Sequence, residues 1–148
     1  MLDATRRAMS GWTSVEEIIA YRLSVKLRDT VLDLVEAGMI PRDFDLCDQI
    51  KDAARSAPRN ISEGFERYRH GEFGYHVGVA KGSLGELKTH LVDCRTRRFL
   101  SESRFQELIA LTNEALKTTT GLLRHLRTSQ APPPWNPDPD PSTTRPES

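Results

Sequence analysis

Basic side chains in the second third of the sequence have the types and spacing needed to bind phosphate groups. Lys51, Arg55 and Arg59 recur every four residues, so they share one face of a helix. Arginine contacts to phosphates are independent of base sequence and weaken with salt. The candidate nucleic-acid contacts are Lys51, Arg55, Arg59, Arg67, Arg69, Arg95, Arg97 and Arg98. The alternative is that these side chains pair with acidic neighbours, of which Asp52, Glu66 and Asp93 are the nearest candidates.

A second group of polar residues lies on two predicted helices, in 54–64 and 80–87. We expect it to form a buried polar network that fixes the register between these helices, because it contains no set of nucleophile, base and orienting residue. Pro58 removes one backbone donor, and Ser56 or Asn60 could satisfy the carbonyl that this frees near residue 54. Lys81 is expected to pair with Glu63. The predicted members are Ser56, Asn60, Glu63, Lys81, Ser83 and Glu86.

Known catalytic and metal-binding patterns do not fit the sequence. Di-iron bundles need Glu-x-x-His on two helices, and no Glu here has a His three residues later. The order Lys81-Gly82-Ser83 is reversed relative to a phosphate-binding loop. His90 and Cys94 lie one turn apart, but two ligands are too few for a structural zinc site. We therefore expect no catalytic residues, no metal and no cofactor.

Apolar residues at steps of three and four predict helices throughout the body of the chain. The expected helices cover 13–38, 43–68, 72–98 and 101–128, with no strand. Thr13 and Glu16 have the spacing of a capping box, and Gly38 is a natural C-terminal cap. Asp43 and Ser101 are expected N-caps. Four helices with short links predict an all-α, antiparallel up-down-up-down four-helix bundle.

Two features oppose the helical pattern. Pro58 lies inside the second helix and should kink it. Gly74, Gly78 and Gly82 recur every four residues in the third helix, although each interior glycine costs about 1 kcal/mol relative to alanine. This spacing predicts a groove that packs closely against another helix, either of this chain or of another subunit.

Composition divides the chain of 148 residues into an N-terminal arm (1–12), the bundle (13–128) and a tail (129–148) rich in proline, which we expect to be extended and disordered. The formal charge is zero, which argues against coating nucleic acid by bulk charge, but residues 51–128 carry a net +5. The two cysteines are far apart and no apolar run is long enough to span a membrane, so we expect a cytoplasmic protein.

The motifs in 54–64 (ARSAPRNISEG) and 80–87 (AKGSLGEL) resemble the bacterial four-helix family named after the 23S rRNA intervening-sequence protein. The usual family patterns are close to A-x-S-I-P-x-N-I-A-E-G and A-K-G-S-L-x-E-L, and the resemblance covers about residues 18–127. Tyr21 stands at what looks like the usual tryptophan position. The resemblance implies a compact bundle assembled as a homopentamer. The family also includes accessory proteins of diversity-generating retroelements, which bind reverse transcriptase and nucleic acid.

Two functions remain open from the sequence. The first is a non-enzymatic accessory protein that binds nucleic acid together with a reverse-transcriptase-like partner. The second is a protein-interaction scaffold without nucleic-acid binding, in which Trp135 of the tail anchors a partner.

Overall fold

A computed structural model describes residues 11–38, 40, 43–67 and 70–128. Apart from the N-terminal turn and the links, these residues form four long helices. These are α1 (Ile19–Glu36), α2 (Phe44–Glu66), α3 (His70–Thr96) and α4 (Glu102–Thr128), and a short 3-10 turn (Val15–Glu17) precedes α1. The described residues contain no strand. The predicted all-α chain of four helices is confirmed. The tail and nearly all of the arm lie outside the described residues.

One apolar core joins the four helices. α2 packs against α1 and α3, and α4 packs against α3 and α1, a pattern compatible with a bundle. The core side chains follow the predicted steps of three and four. In α3, for example, Val77, Leu84, Leu87 and Leu91 are fully buried. The apolar periodicity of the sequence therefore determines which face of each helix turns inward.

The helix ends are set by local hydrogen bonds. The Asp43 carboxylate accepts from the Leu46 amide at 3.1 Å, and the Ser101 hydroxyl accepts from the Arg104 amide at 3.2 Å. Both residues are therefore the N-caps that the sequence predicts. Gly38 takes a φ of +70° just after α1, as expected of a glycine that ends a helix.

The cap before α1 differs from the prediction. The Thr13 amide and hydroxyl both donate to the Glu17 carboxylate, at 2.7 and 2.9 Å. The predicted pairing of Thr13 with Glu16 is wrong, because the chain first makes the 3-10 turn and α1 begins only at Ile19. That turn brings Glu17, four residues on, to the position from which it can close the cap.

The link between α3 and α4 ends α3 without a glycine. The Phe99 amide donates to the Cys94 carbonyl at 2.8 Å, and the Arg98 amide donates to the Arg95 carbonyl at 3.0 Å. This pair of bonds is a Schellman motif, and it places Arg98 in the left-handed region with a φ of +61°. The backbone at Arg98 is therefore fixed by the turn, which directs the chain into α4.

The glycines of α3 lie on its outer side. A methyl group added at Gly71, Gly78, Gly82 or Gly85 would meet nothing within 4 Å, and one at Gly74 would just touch Leu126 at 4.0 Å. The groove predicted from their spacing is therefore not filled by another helix of this chain within the described residues. We call it the glycine groove. Its floor is Gly71, Gly74 and Gly78, and its walls are Tyr75, Val79 and Leu126.

Candidate nucleic-acid interface

A groove on the outer side of α1 and α2 combines arginines with one aromatic ring. It has a volume of about 610 Å3. We call it the basic groove. Its lining residues are Tyr21, Arg28, Asp29, Leu32, Arg55, Pro58, Arg59 and Ser62. Arg55 and Arg59 lie one turn apart on the same face of α2, and α1 supplies Arg28 and Tyr21 from the opposite wall.

The charge of the basic groove is positive and largely uncompensated. Arg28 donates to its neighbour Asp29 at 2.9 Å. Arg55 and Arg59 are exposed, and neither forms an ion pair with any carboxylate in the part of the chain that the structure describes. Two guanidinium groups without a protein partner leave their donors free for an anion such as a phosphate.

Two basic side chains outside the basic groove, one lysine and one arginine, form ion pairs with acidic residues. Lys51, the third predicted member of the α2 stripe, lies 3.3 Å from Asp48. Arg67 donates to Glu63 at 3.1 Å, one turn earlier. Arg69 lies outside the described residues. Acidic residues within about one helical turn therefore pair with some of the basic side chains that were predicted to contact nucleic acid.

The arginines at the end of α3 are also engaged, in part with residues of other helices. Arg95 lies 3.0 Å from Glu102 and stacks over the Phe105 ring. Arg97 lies 3.3 Å from Asp43 and stacks over another ring, that of Phe99. These contacts tie the helix ends together.

Two acids at this end of the bundle have defined surroundings. The Leu46 amide and the Arg97 guanidinium hold the pKa of Asp43 below its ordinary value, although partial burial opposes this. Asp93, one of the acids named as alternative partners, lies 3.7 Å from Arg97. Arg98 forms no ion pair among the described residues, but its backbone is held in the turn described above. At the end of α3, Arg95 and Arg97 are thus paired with acids and Arg98 is not, whereas both α2 arginines of the basic groove are unpaired within the described residues.

A hydrogen-bonded network of polar side chains connects α2 with α3. The Asn60 amide donates to the Ser56 carbonyl at 2.8 Å and to the Ser56 hydroxyl at 3.0 Å. The hydroxyls of Ser56 and Ser83 lie 2.7 Å apart, and Ser83 in turn donates to the Val79 carbonyl at 3.1 Å. The Asn60 side-chain oxygen lies 3.2 Å from Nδ1 of His76. The network spans the two helices at the position of Pro58.

The structure brings together only part of the network expected from the sequence. Ser56, Asn60 and Ser83 meet, whereas Glu63, Lys81 and Glu86 are exposed and lie outside it. Glu63 pairs with Arg67 rather than with Lys81, and Lys81 forms no ion pair within the described ranges. The expected Lys81–Glu63 pair is therefore wrong, because a partner one turn away on the same helix is closer than one across the helix interface. Glu86 lies 3.4 Å from Nε2 of His90.

Sequence reasoning missed His76, Arg28 and the location of Tyr21. His76 reaches Asn60 from α3, sixteen residues along the chain, and Arg28 reaches the basic groove from α1. Neither residue belongs to a local motif. Their positions depend on how two helices align, so no spacing within one helix could have indicated them.

No metal centre is formed by the described residues, since no three His, Cys, Asp or Glu side chains come together there. His90 turns toward Glu86, while Cys94 is fully buried in the core. Burial raises the pKa of the Cys94 thiol to about 11, and burial also raises the pKa of Cys47. Cys47 and Cys94 do not form a disulfide with each other. Cys94 therefore stays protonated near neutral pH and serves as a core residue.

The fold and the basic groove define a small protein of four helices with an outward-facing cationic surface. The model of the 23S rRNA-intervening sequence protein family matches residues 16–121, which include all of α1 to α3 and most of α4. The chain belongs to this family. No curated protein matches it. None of the helices in the described part of the chain is both long and apolar enough to cross a membrane.

Proposed function

We propose that this protein is a non-enzymatic, cytoplasmic accessory protein that binds nucleic acid through the basic groove, together with a reverse-transcriptase-like partner. The observation that carries the proposal is the pair of arginines in α2, Arg55 and Arg59, whose side chains have no carboxylate partner among the described residues. Of the other described basic candidates, Lys51, Arg67, Arg95 and Arg97 form ion pairs, and Arg98 forms none but does not line the basic groove.

The geometry of the basic groove suits a sugar-phosphate backbone. Arg55 and Arg59 are one turn apart, about 6 Å along the helix axis, so both guanidinium groups face the same side and can contact one phosphate backbone. Arg28 adds a third guanidinium across the groove, and Tyr21 offers a ring on which a base can stack. We expect the arginines to contact phosphates, so the binding should be independent of base sequence.

Self-association would multiply this charge. We propose an antiparallel bundle that assembles as a homopentamer, as the family resemblance implies. Exposed apolar side chains on several helices support self-association: Phe44 is 73% exposed, Ile19 56% and Val92 44%. In a ring of five copies the basic groove would occur five times, so a modest local charge becomes an extended field.

The assembly is tested by its mass. Multi-angle light scattering on the eluting full-length protein is expected to give five times the chain mass of 16.7 kDa. A single species at the chain mass, across a wide range of loading concentrations, would contradict the pentamer.

The binding is tested by removing both arginines of the groove. Fluorescence anisotropy of labelled single- and double-stranded DNA and RNA should show binding at about 50 mM salt that weakens strongly at about 200 mM. In Arg55→Ala/Arg59→Ala, two phosphate contacts per chain are lost, so affinity at low salt should fall at least tenfold, by about 1.4 kcal/mol or more. The slope of log K against log salt should become shallower by about 1.4 to 1.8.

The matched control is Lys117→Ala/Arg124→Ala, which removes the same charge from exposed positions of α4. It should leave both affinity and slope close to those of the unmodified protein. Equal loss in the two double variants would show that only net charge matters and would contradict a specific groove.

The second candidate is a protein-interaction scaffold without nucleic-acid binding. The exposed apolar residues support it, because they offer surface onto which a partner protein can pack. If none of the four nucleic acids binds at either salt concentration, the nucleic-acid function is contradicted and the scaffold function replaces it.

A further inference from the structure

The glycine groove is an apolar depression that no described part of the chain fills. It has a volume of about 560 Å3. Tyr75 is 69% exposed and Val79 36%, although both are apolar or aromatic side chains on a glycine-lined face. Five glycines in one helix cost stability in the free helix, and here they leave the backbone of α3 open to close approach.

We propose that residues 131–140 of the same chain occupy the glycine groove, with the Trp135 indole packed beside Tyr75 against the glycine floor. This sequence, APPPWNPDPD, is rich in proline, and proline-rich segments in the polyproline II conformation dock into grooves lined by aromatic rings. A tyrosine beside bare backbone offers both a ring to contact and room for an indole.

The end of α4 places this segment at the groove. α4 ends at Thr128, and Leu126 and Arg127 in its last turn already line the groove. Trp135 is seven residues beyond Thr128, which gives a reach of about 22 Å in polyproline II. The glycine floor from Gly71 to Gly78 is about 10 Å long, so Trp135 can reach any part of it.

Charge complementarity supports this placement. Residues 129–148 carry a net charge of −2, and Asp138 and Asp140 follow shortly after Trp135. Arg127 lines the groove. Lys81 and Lys88 are exposed on α3, and at 3.6 residues per turn they lie beside the glycine face. Neither lysine forms an ion pair among the described residues. A tethered segment also has a high effective concentration at the groove, which favours it over a second copy.

The test uses the full-length chain labelled with 5-fluorotryptophan, whose fluorine resonances report Trp12 and Trp135 separately. Trp135→Phe assigns the two lines. The measured quantity is the solvent isotope shift between H2O and D2O, which is largest for a fully hydrated indole. We expect the Trp135 line to show a reduced isotope shift in the native protein, at every protein concentration.

Filling the groove should release the indole. Gly78→Leu adds a side chain where an added Cβ meets nothing within 4 Å, so the fold should accept it, and the Trp135 isotope shift should rise to the value found in denaturant. The control is Gly121→Leu, the same change at an equally open glycine of α4 that does not line the groove. It should leave the Trp135 line unchanged. Circular dichroism checks that both variants are folded, and Gly71→Leu, at another open glycine of the groove floor, replaces Gly78→Leu if that variant does not fold.

Four results would overturn the proposal. The first is a full isotope shift for Trp135 in the unmodified protein. The second is a reduced shift that Gly78→Leu does not change, which would place the indole elsewhere. The third is a change of molecular mass in Gly78→Leu with Trp135 hydrated throughout, which would assign the groove to a second copy. A reduced shift that disappears on dilution also contradicts docking within one chain.

Discussion

Gly64→Ala is expected to lower the free energy of unfolding by about 2 kcal/mol, because α2 and α3 touch at this residue. A Cβ at position 64 would lie 2.7 Å from Cβ of His76 and 3.3 Å from Cα of Phe73. The second of these atoms is backbone, so a side-chain rotation cannot relieve the crowding and the two helices must separate. The gain in helix propensity from glycine to alanine, about 1 kcal/mol, offsets only part of this cost.

Gly121→Ala is the matched control for this substitution. It makes the same change inside α4, where the added methyl group meets nothing within 4 Å, so it should stabilise the protein by about 1 kcal/mol. The free energies of unfolding of the two variants, measured with urea or heat, should therefore differ by about 3 kcal/mol. Gly64→Ala should be less stable than the unmodified protein and Gly121→Ala more stable. If Gly64→Ala is as stable as Gly121→Ala, the close approach of α2 and α3 at Gly64 is not real.

Asn60→Ala should cost about 2 to 3 kcal/mol of unfolding free energy, since Asn60 is the centre of the polar network. Its side chain is nine-tenths buried and bonds to Ser56 on its own helix and to His76 on α3. Truncation leaves these partners without their bonds in a region with little access to water, and it also opens a small cavity. Thermal unfolding followed by circular dichroism measures the loss.

The control for Asn60→Ala is Asn113→Ala, an exposed asparagine of α4, whose replacement should change stability by less than about 0.5 kcal/mol. A double-mutant cycle with Ser83→Ala then separates the network from simple burial. Because Ser83 reaches Asn60 through the Ser56 hydroxyl, the two substitutions should be coupled by more than about 0.5 kcal/mol. Strict additivity would show that the side chains contribute independently.

The helices and their inner faces could be predicted from the sequence because each depends on local information. Steps of three and four identify the buried face of α3, and a short polar residue before α2 and before α4 identifies the caps at Asp43 and Ser101. The pairing of Ser56 with Asn60 also lies within one helix turn, but the Asn60 amide bonds to the Ser56 carbonyl and not to the carbonyl near residue 54 that Pro58 frees, so that detail of the prediction is wrong. These features need no knowledge of how the helices align.

The remaining parts of the site depend on contacts between helices. Arg28 and Tyr21 join Arg55 and Arg59 only because α1 and α2 align with them on one outer side, and the sequence contains no signal for that register. The arginines at the end of α3 were assigned to nucleic acid because they are clustered. Arg95 and Arg97 are instead paired, with Glu102 seven residues along the chain and with Asp43 more than fifty residues away. Charge clusters on helix ends are therefore poor predictors of a free cationic surface.

The glycines of α3 also affect how protection against amide hydrogen exchange is distributed. Each interior glycine weakens its helix by about 1 kcal/mol relative to alanine, and α3 carries five of them on its outer face. Its inner face is held by fully buried residues such as Leu84 and Leu87. The amides along the glycine face should therefore exchange through small local openings, while those facing the core exchange only with wider unfolding. Whatever lies in the glycine groove would then slow exchange on one side of a single helix, so the same helix reports both core stability and occupancy of the groove.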